Sequence, residues 1–216
     1  SSDDAQIAMT GITKDLLAKA GIYDREPLNV YSASIEGFAV NLSESEVAAL
    51  EKNPNVRGIW PDMMFILAKP APAPVPLPAE VTPPGITRVG GGATYTGTKK
   101  AWIIDTGIDL HHADLNVDAA SGKTFVTRTT TPNDDNGHGT HCAGIVAAID
   151  NTVGVVGVAA GAKVVPVKVL DKRGSGAMSV IIAGVDWVTA YGVAGDAANM
   201  SLGGGIYEPL DLEVIQ

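Results

Sequence analysis

Two side chains, Asp105 and His138, stand where they could do chemistry together. Asp105 closes the apolar run Ala101-Trp102-Ile103-Ile104, and Thr106-Gly107 then turns the chain away. Open α/β sheets collect their functional groups at such strand ends. His138 lies in Asn136-Gly137-His138-Gly139-Thr140-His141-Cys142-Ala143-Gly144, where a loop gives way to a helix of small residues. A histidine at a helix start is held clear of the sheet, and glycine on each side lets other backbone approach its ring. Such an imidazole works as a general base when a carboxylate fixes its tautomer and stabilises the cation formed as it takes a proton from a nucleophile. Asp105 suits that role.

The elements that must position this pair can be read from periodicity. Ala101 to Ile104, Lys163 to Leu170 and Ala198 to Leu202 are short β-rich runs, and Thr140 to Ile149 and Ala177 to Tyr191 are apolar stretches of helical length between them. That alternation predicts an α/β fold with a parallel sheet covered on both faces. Ahead of it, seven of the 13 prolines fall between Pro70 and Pro84. A stretch unable to donate ladder hydrogen bonds reads as an exposed linker. The division expected is residues 1–68, a linker over 69–84, and a second domain over 85–216. In the first segment a helix is expected from about Thr13 to Ala20, a strand over Asn29 to Asn41 and another over Val56 to Leu67. Between the strands, Ser43 and Glu46 form a capping-box pattern that opens a short helix stopped by Asn53-Pro54. This order suits a small α/β sandwich that lacks one leading strand unless Ala5 to Met9 supplies it.

The run Ala101 to Asp109 resembles the aspartate motif of the subtilisin family, and Asn136 to Gly144 resembles its histidine motif, closest to the proteinase K branch. Lys168-Val169-Leu170 with Gly174-Ser175-Gly176, and then Asn199 to Gly205, resemble the two strands that line the family's substrate cleft. The first segment is similar to the family's propeptide, best over Val30 to Ser43 and Val56 to Asp62. The resemblance implies an α/β, parallel-sheet subtilisin-like catalytic domain, of which this is the N-terminal part, preceded by a small α+β ferredoxin-like propeptide. It implies a serine endopeptidase with an Asp-His-Ser triad, in which Asp105 orients and His138 is the base. Gly174, Ser175, Gly176, Ser201, Leu202 and Gly203 would clamp an extended substrate by β-augmentation. The implied partners are protein or peptide substrates and the chain's own propeptide, which assists folding and then inhibits.

No Gly-Thr-Ser-Met-type nucleophile motif and no oxyanion asparagine of the family pattern follow within the 216 residues. The expectation is therefore a fragment that ends before the catalytic serine and is inactive alone. By the same resemblance the loop Ile149 to Val155 looks like a structural calcium loop. The carbonyls of Ile149, Val153 and Val155 and the side chain of Asn151 would converge there with Asp114. No organic cofactor is expected.

Other readings of these residues stand beside this one. Cys142, one turn beyond His138, is either a reactive thiol or a small buried residue in a tight helix. His138 and His141 have a spacing that could ligate zinc, but no glutamate stands between them as in His-Glu-x-x-His enzymes, and His141 reads as structural. Gly90 to Gly92 is too short for a phosphate loop and reads as a connector. Asp105-Thr106-Gly107 is also the signature of aspartic proteases, in which two such aspartates share a proton; the histidine motif and the α/β pattern have no place in that β fold. A non-catalytic inhibitor or binding module on a degenerate protease domain is the remaining alternative, and intact Asp105 and His138 weigh against it.

Composition narrows the partners. A formal net charge of -9 makes a broad cationic face for nucleic acid a poor fit. A single cysteine excludes an internal disulfide, so packing or bound ions must hold the fold. No run reaches the roughly 20 apolar residues that cross a bilayer, and no signal-peptide pattern opens the chain. Neither nucleic acid nor membrane is expected as a partner, and the resemblance implies a secreted protein.

Overall fold

In the first segment, the computed structural model answers the open question about the leading strand. It describes residues 2–67 and 77–215, and the prolines of the linker up to Pro76 lie outside these. Ala5 to Met9 is helical: α1 spans Ser2–Lys19, with Asp3 and Asp4 in its first turn and Lys19 in its last. Acid near the start and base near the end complement the helix dipole, so the helix runs far beyond the expected Thr13 to Ala20. Asn29 to Asn41 is not one strand but a hairpin, β1 (Asn29–Tyr31) and β2 (Gly37–Ala39), paired antiparallel with Val30 opposite Phe38. Helix α2 (Glu44–Leu50) opens on the expected capping box, with both the Ser43 and the Glu46 side chains engaged. Hydrogen bonds from the Ser43 backbone and from Arg25 hold the Glu46 carboxyl down at about 2. Of the strand expected over Val56 to Leu67 only β3 (Met64–Ile66) forms.

The elements that follow are α3 (Pro84–Arg88), β4 (Ala93–Thr94), β5 (Lys100–Asp105), β6 (Asn116–Val117) and β7 (Lys123–Thr124). Helix α4 (His138–Ala147), β8 (Ala159–Ala160), β9 (Lys163–Lys168), β10 (Ser175–Ala177), α5 (Met178–Tyr191), β11 (Ala197–Asn199) and α6 (Glu208–Ile215) complete the order. Pro84, counted above with the linker, opens α3 at a position where its missing N–H costs nothing.

Two compact units result. One comprises Ser1–Met64, Ala177–Tyr191 and Gly205–Gln216, the other Phe65–Gly176 and Gly192–Gly204. The first has a small core of Leu17, Ile22 and Leu50, against which Phe38, Val40 and Leu42 pack. Its polar contacts concentrate on α5. Asp186 accepts from the backbone N–H groups of Ser32, Ala33 and Ser34, the shortest at 2.7 Å. Asp62 caps the start of α5 by accepting from the Ser179 N–H at 2.9 Å and its hydroxyl at 2.6 Å.

The second unit is built on a parallel sheet in the order β11-β5-β9-β6, with β7 also paired to β9. Strands β5 and β9 are buried almost throughout, as a sheet covered on both faces requires. Pro166 lies opposite Ile103 of β5, and on the other edge of β9 it falls in the gap between the residues paired with β6 and those paired with β7, where a residue without an N–H is tolerated. Ile103, Ile108, Ala143, Ala147 and Val164 form the core between the sheet and α4. The small residues of α4 bring that helix close. A Cβ on Gly139 would stand 2.1 Å from the Gly107 carbonyl oxygen, so only glycine fits there.

Candidate active site

The sheet delivers Asp105 to the end of β5, and Thr106-Gly107 turns under the start of α4, where Gly107 has φ 102°. Asp105 is fully buried. One of its oxygens accepts the Thr106 N–H at 2.6 Å. His138 is the first residue of α4, and its Nδ1 lies 2.8 and 2.9 Å from the two Asp105 oxygens. The His138 side chain keeps about a quarter of its surface open, at 27 %. A carboxylate out of water on Nδ1, with no hydrogen bond on Nε2 among the described residues, is the arrangement of an oriented general base.

The loop ahead of α4 is fixed by Asp134. Its carboxylate accepts from the N–H groups of Asn136, Gly137 and Thr140 and from the hydroxyls of Thr106 and Thr140. Burial pushes the Asp134 carboxyl up, but these hydrogen bonds outweigh it and hold it below the usual carboxylate value. Cys142 places its Sγ 3.8 Å from His138 Nδ1. Burial pushes its thiol up, the Ser201 hydroxyl opposes this, and the negative charges of Asp105 and Asp134 raise it further. A thiol held protonated fits the small buried residue rather than the reactive one. His141 is exposed on the same helix. The one group of three histidine, cysteine or carboxylate side chains that converges among the described residues is Asp105, His138 and Cys142, which leaves the His138–His141 spacing without a third zinc ligand.

Gly174, Ser175 and Gly176 follow a turn fixed by Asp171, whose Oδ1 accepts from Arg173 N and Ser175 N. Ser175 and Gly176 lie on β10, which pairs with β3. In the same unit, Leu67 donates its N–H to the Gly174 carbonyl at 2.8 Å. A Cβ on Gly174 would meet the Leu67 side chain at 2.9 Å, so glycine permits the approach. Ser201, Leu202 and Gly203 lie past the end of β11, outside regular structure, and not within a strand reaching Leu202 as expected. The ladder with β5 stops at Asn199 opposite Ile103, and no other described strand pairs with the residues beyond. Phe65 packs against Gly204, the residue after that segment.

Asp114 is buried, and its carboxylate accepts from Asn151 Nδ2 at 2.7 Å and from Val155 N at 3.0 Å. The Ile149 N–H bonds to the Asp114 carbonyl, and Val153 N–H to Asn151 Oδ1. Sequence reasoning missed Glu80, whose carboxylate accepts the Asn151 N–H. Ala79 and Val81 on either side of it bridge to Val153 and Val155. Its signal was a lone acid in a stretch otherwise read as linker. No ion pair reaches Asp114 among the described residues, and the groups turned toward the Asp114 and Glu80 carboxylates are N–H donors, the Asn151 amide and the backbone of Asn151 and Val155.

Residues 101–212 match the Subtilase family, more than half of the chain. The chain belongs to that family. Residues 4–68 of this subtilase match the peptidase inhibitor I9 family. It is 36% identical over 211 residues to the extracellular serine proteinase of Thermus sp. (strain Rt41A), covering 95% of this chain and 49% of the relative. It is 37% identical over 194 residues to subtilisin E of Bacillus subtilis (strain 168), covering 88% and 47%. To subtilisin DY of Bacillus licheniformis it is 50% identical over 111 residues, covering 51% and 39%. The chain thus spans about half the length of the first two. An α/β fold of the subtilase family preceded by an inhibitor-type segment is therefore established. Helix α5 falls inside the subtilase match, yet it shares a compact unit with the inhibitor match.

Proposed function

We propose that this subtilase is a secreted serine endopeptidase made as an autoinhibited proprotein. The observation that carries the reading is the buried Asp105 carboxylate on Nδ1 of a partly open His138. In this reading His138 takes the proton from a serine hydroxyl as that oxygen attacks the peptide carbonyl, and later returns it to the leaving amine. Asp105 holds the tautomer and stabilises the imidazolium between those steps. The serine and the oxyanion donors would be supplied from outside residues 1–216, so this chain alone would not hydrolyse peptides. Gly174 to Gly176 and Ser201 to Gly203 would receive the substrate backbone as added strands.

Residues 1–68 would be the inhibitor. Supporting this, the chain at Phe65 to Leu67 already bonds along Gly174 in the manner of a substrate strand, and the segment grips α5 through Asp62 and Asp186. Residues 69–84 would be the link that is cut. Asp114, Asn151, Glu80 and the carbonyls of Ile149, Val153 and Val155 would hold a structural calcium ion, which would add stability and no chemistry. Secretion is supported by the extracellular Thermus relative. Among the described residues no helix is long and apolar enough to cross a membrane.

The test is hydrolysis of casein by the complete protein, by its His138→Ala variant and by residues 1–216 alone. The complete protein should be active, and the variant should lose on the order of a millionfold, the loss seen when subtilisin's own histidine is removed. Residues 1–216 should be inert. Activity in the fragment, or in the variant, would refute the reading.

A further inference from the structure

Lys168 is fully buried at the carboxyl end of β9, where the register sets it opposite Asp105. An ammonium withdrawn from water is strongly disfavoured unless it is matched by charge and hydrogen bonds. Two groups match this one. Its Nζ donates to the Thr106 carbonyl, the peptide that follows Asp105, and to Asp135 Oδ1 at 2.7 Å, on the loop that delivers His138. Thr106 is held a second time, since its hydroxyl donates to Asp134 at 2.8 Å and accepts from the Gly139 N–H at 2.9 Å. The Asp105 carbonyl, in turn, accepts the N–H groups of Val169 and Leu170 just beyond Lys168. One buried cation thus ties the strand end that carries the orienting carboxylate to the loop that carries the base. A leucine could fill the same space between strands but could tie neither.

We propose that Lys168, with Asp135, is a positioning residue that sets the Asp105–His138 geometry for catalysis. The inference rests on the protease reading above. The charged and titratable groups facing this region are Asp105 on β5, Asp134 and Asp135 on the loop, and His138 and Cys142 on α4.

The experiment measures kcat, KM and the pH profile of peptide hydrolysis by the complete, matured protein as wild type, Lys168→Met, Asp135→Asn, the double variant and His138→Ala. Lys168→Met should lower kcat about 10- to 100-fold with KM changed less than about twofold, as loss of alignment and not of binding requires. Removing a cation near the pair should also move the acid limb of the profile up by about half a pH unit, and removing the Asp135 charge should move it down. The double variant should be no slower than about the worse single one, because the two side chains act as one link. Asp135 is partly exposed, at 44 % for its side chain, so its substitution spares the fold and decides alone if Lys168→Met does not accumulate. An active wild type in which both variants keep kcat and the acid limb would overturn the role of Lys168 while leaving the protease reading intact. An inactive wild type, or an active His138→Ala, would overturn that reading and this inference with it.

Discussion

Replacing Asp186 by alanine tests how residues 1–68 hold α5. The carboxylate is buried and collects four donors, the N–H groups of Ser32, Ala33 and Ser34 and the Ser34 hydroxyl, at 2.7 to 3.2 Å. A hydrogen bond to a charged acceptor contributes about 1.5–3 kcal/mol, but water would serve part of the backbone once the carboxylate is gone. Counting two such bonds at the low end gives about 3 kcal/mol, and each 1.4 kcal/mol is tenfold in affinity. On the proposed reading, the inhibition constant of residues 1–68, added to the matured enzyme, should therefore rise on the order of 100-fold for Asp186→Ala. Asp186→Asn keeps one acceptor oxygen without the charge and should fall between, at about tenfold. The assay is inhibition of peptide hydrolysis across a range of segment concentrations, with each variant compared with its own uninhibited rate. A constant within about threefold of wild type for Asp186→Ala would show that these bonds do not hold the inhibitor.

Other perturbations read separate parts of the structure. Gly139→Ala puts a Cβ against the Gly107 backbone, which cannot give way cheaply, so the complete protein should lose about 2–4 kcal/mol in denaturant unfolding and most of its activity. Wild-type activity with unchanged stability would contradict that packing. Asp134 is held below its ordinary value when folded, so its stabilisation is complete above the usual carboxylate range and disappears as pH falls through that range toward the depressed value. Wild type should accordingly lose stability between about pH 5 and 2 more steeply than Asp134→Asn, and parallel curves would refute it. Asp114→Ala should abolish the calcium-dependent rise in Tm of the catalytic domain, which at a hundredfold excess over the dissociation constant corresponds to about 2.7 kcal/mol. An equal rise in both proteins would remove Asp114 from the site, and no rise in either would remove the site. Arg128 is the one non-glycine residue among those described with positive φ, at 69°, and Arg128→Gly should raise stability by about 0.5–1 kcal/mol in thermal unfolding.

Where an element depends on its own few residues, it could be read from the chain. Ser43 and Glu46 close their box within one turn, and Ala101 to Asp105 is apolar because both faces of its strand are covered. Asp105 and His138 were legible for the same reason, since a strand end and a glycine-flanked helix start are local features. The hairpin within Asn29 to Asn41 was not, because the turn at Ser32 to Ser34 is held by Asp186, more than 150 positions away. Ala5 to Met9 was ambiguous between helix and strand, and the helix continues through it because Met9 and Leu16 are buried on one side. Lys168 read as part of a substrate-lining strand and Glu80 as part of a linker. Nothing in a linear pattern reveals that a lysine will be sealed from water opposite a carboxylate, or that a segment after a proline run will fold back beside Asn151.

The small core of the first unit has a consequence for timing. Leu17, Ile22 and Leu50, the helix α1, a two-stranded hairpin and one short capped helix make a small core for a domain, and isolated hairpins are marginal in water. Its grip on α5 uses carboxylates and backbone amides that water can replace once they part. On the proposed reading, residues 1–68 would keep their shape mainly while docked, and after the link is cut each departure would expose a loosened chain to the very enzyme it restrained. Release would then act as a ratchet. The first molecule freed would destroy its own inhibitor and then its neighbours', so activation across a population would begin slowly and finish abruptly.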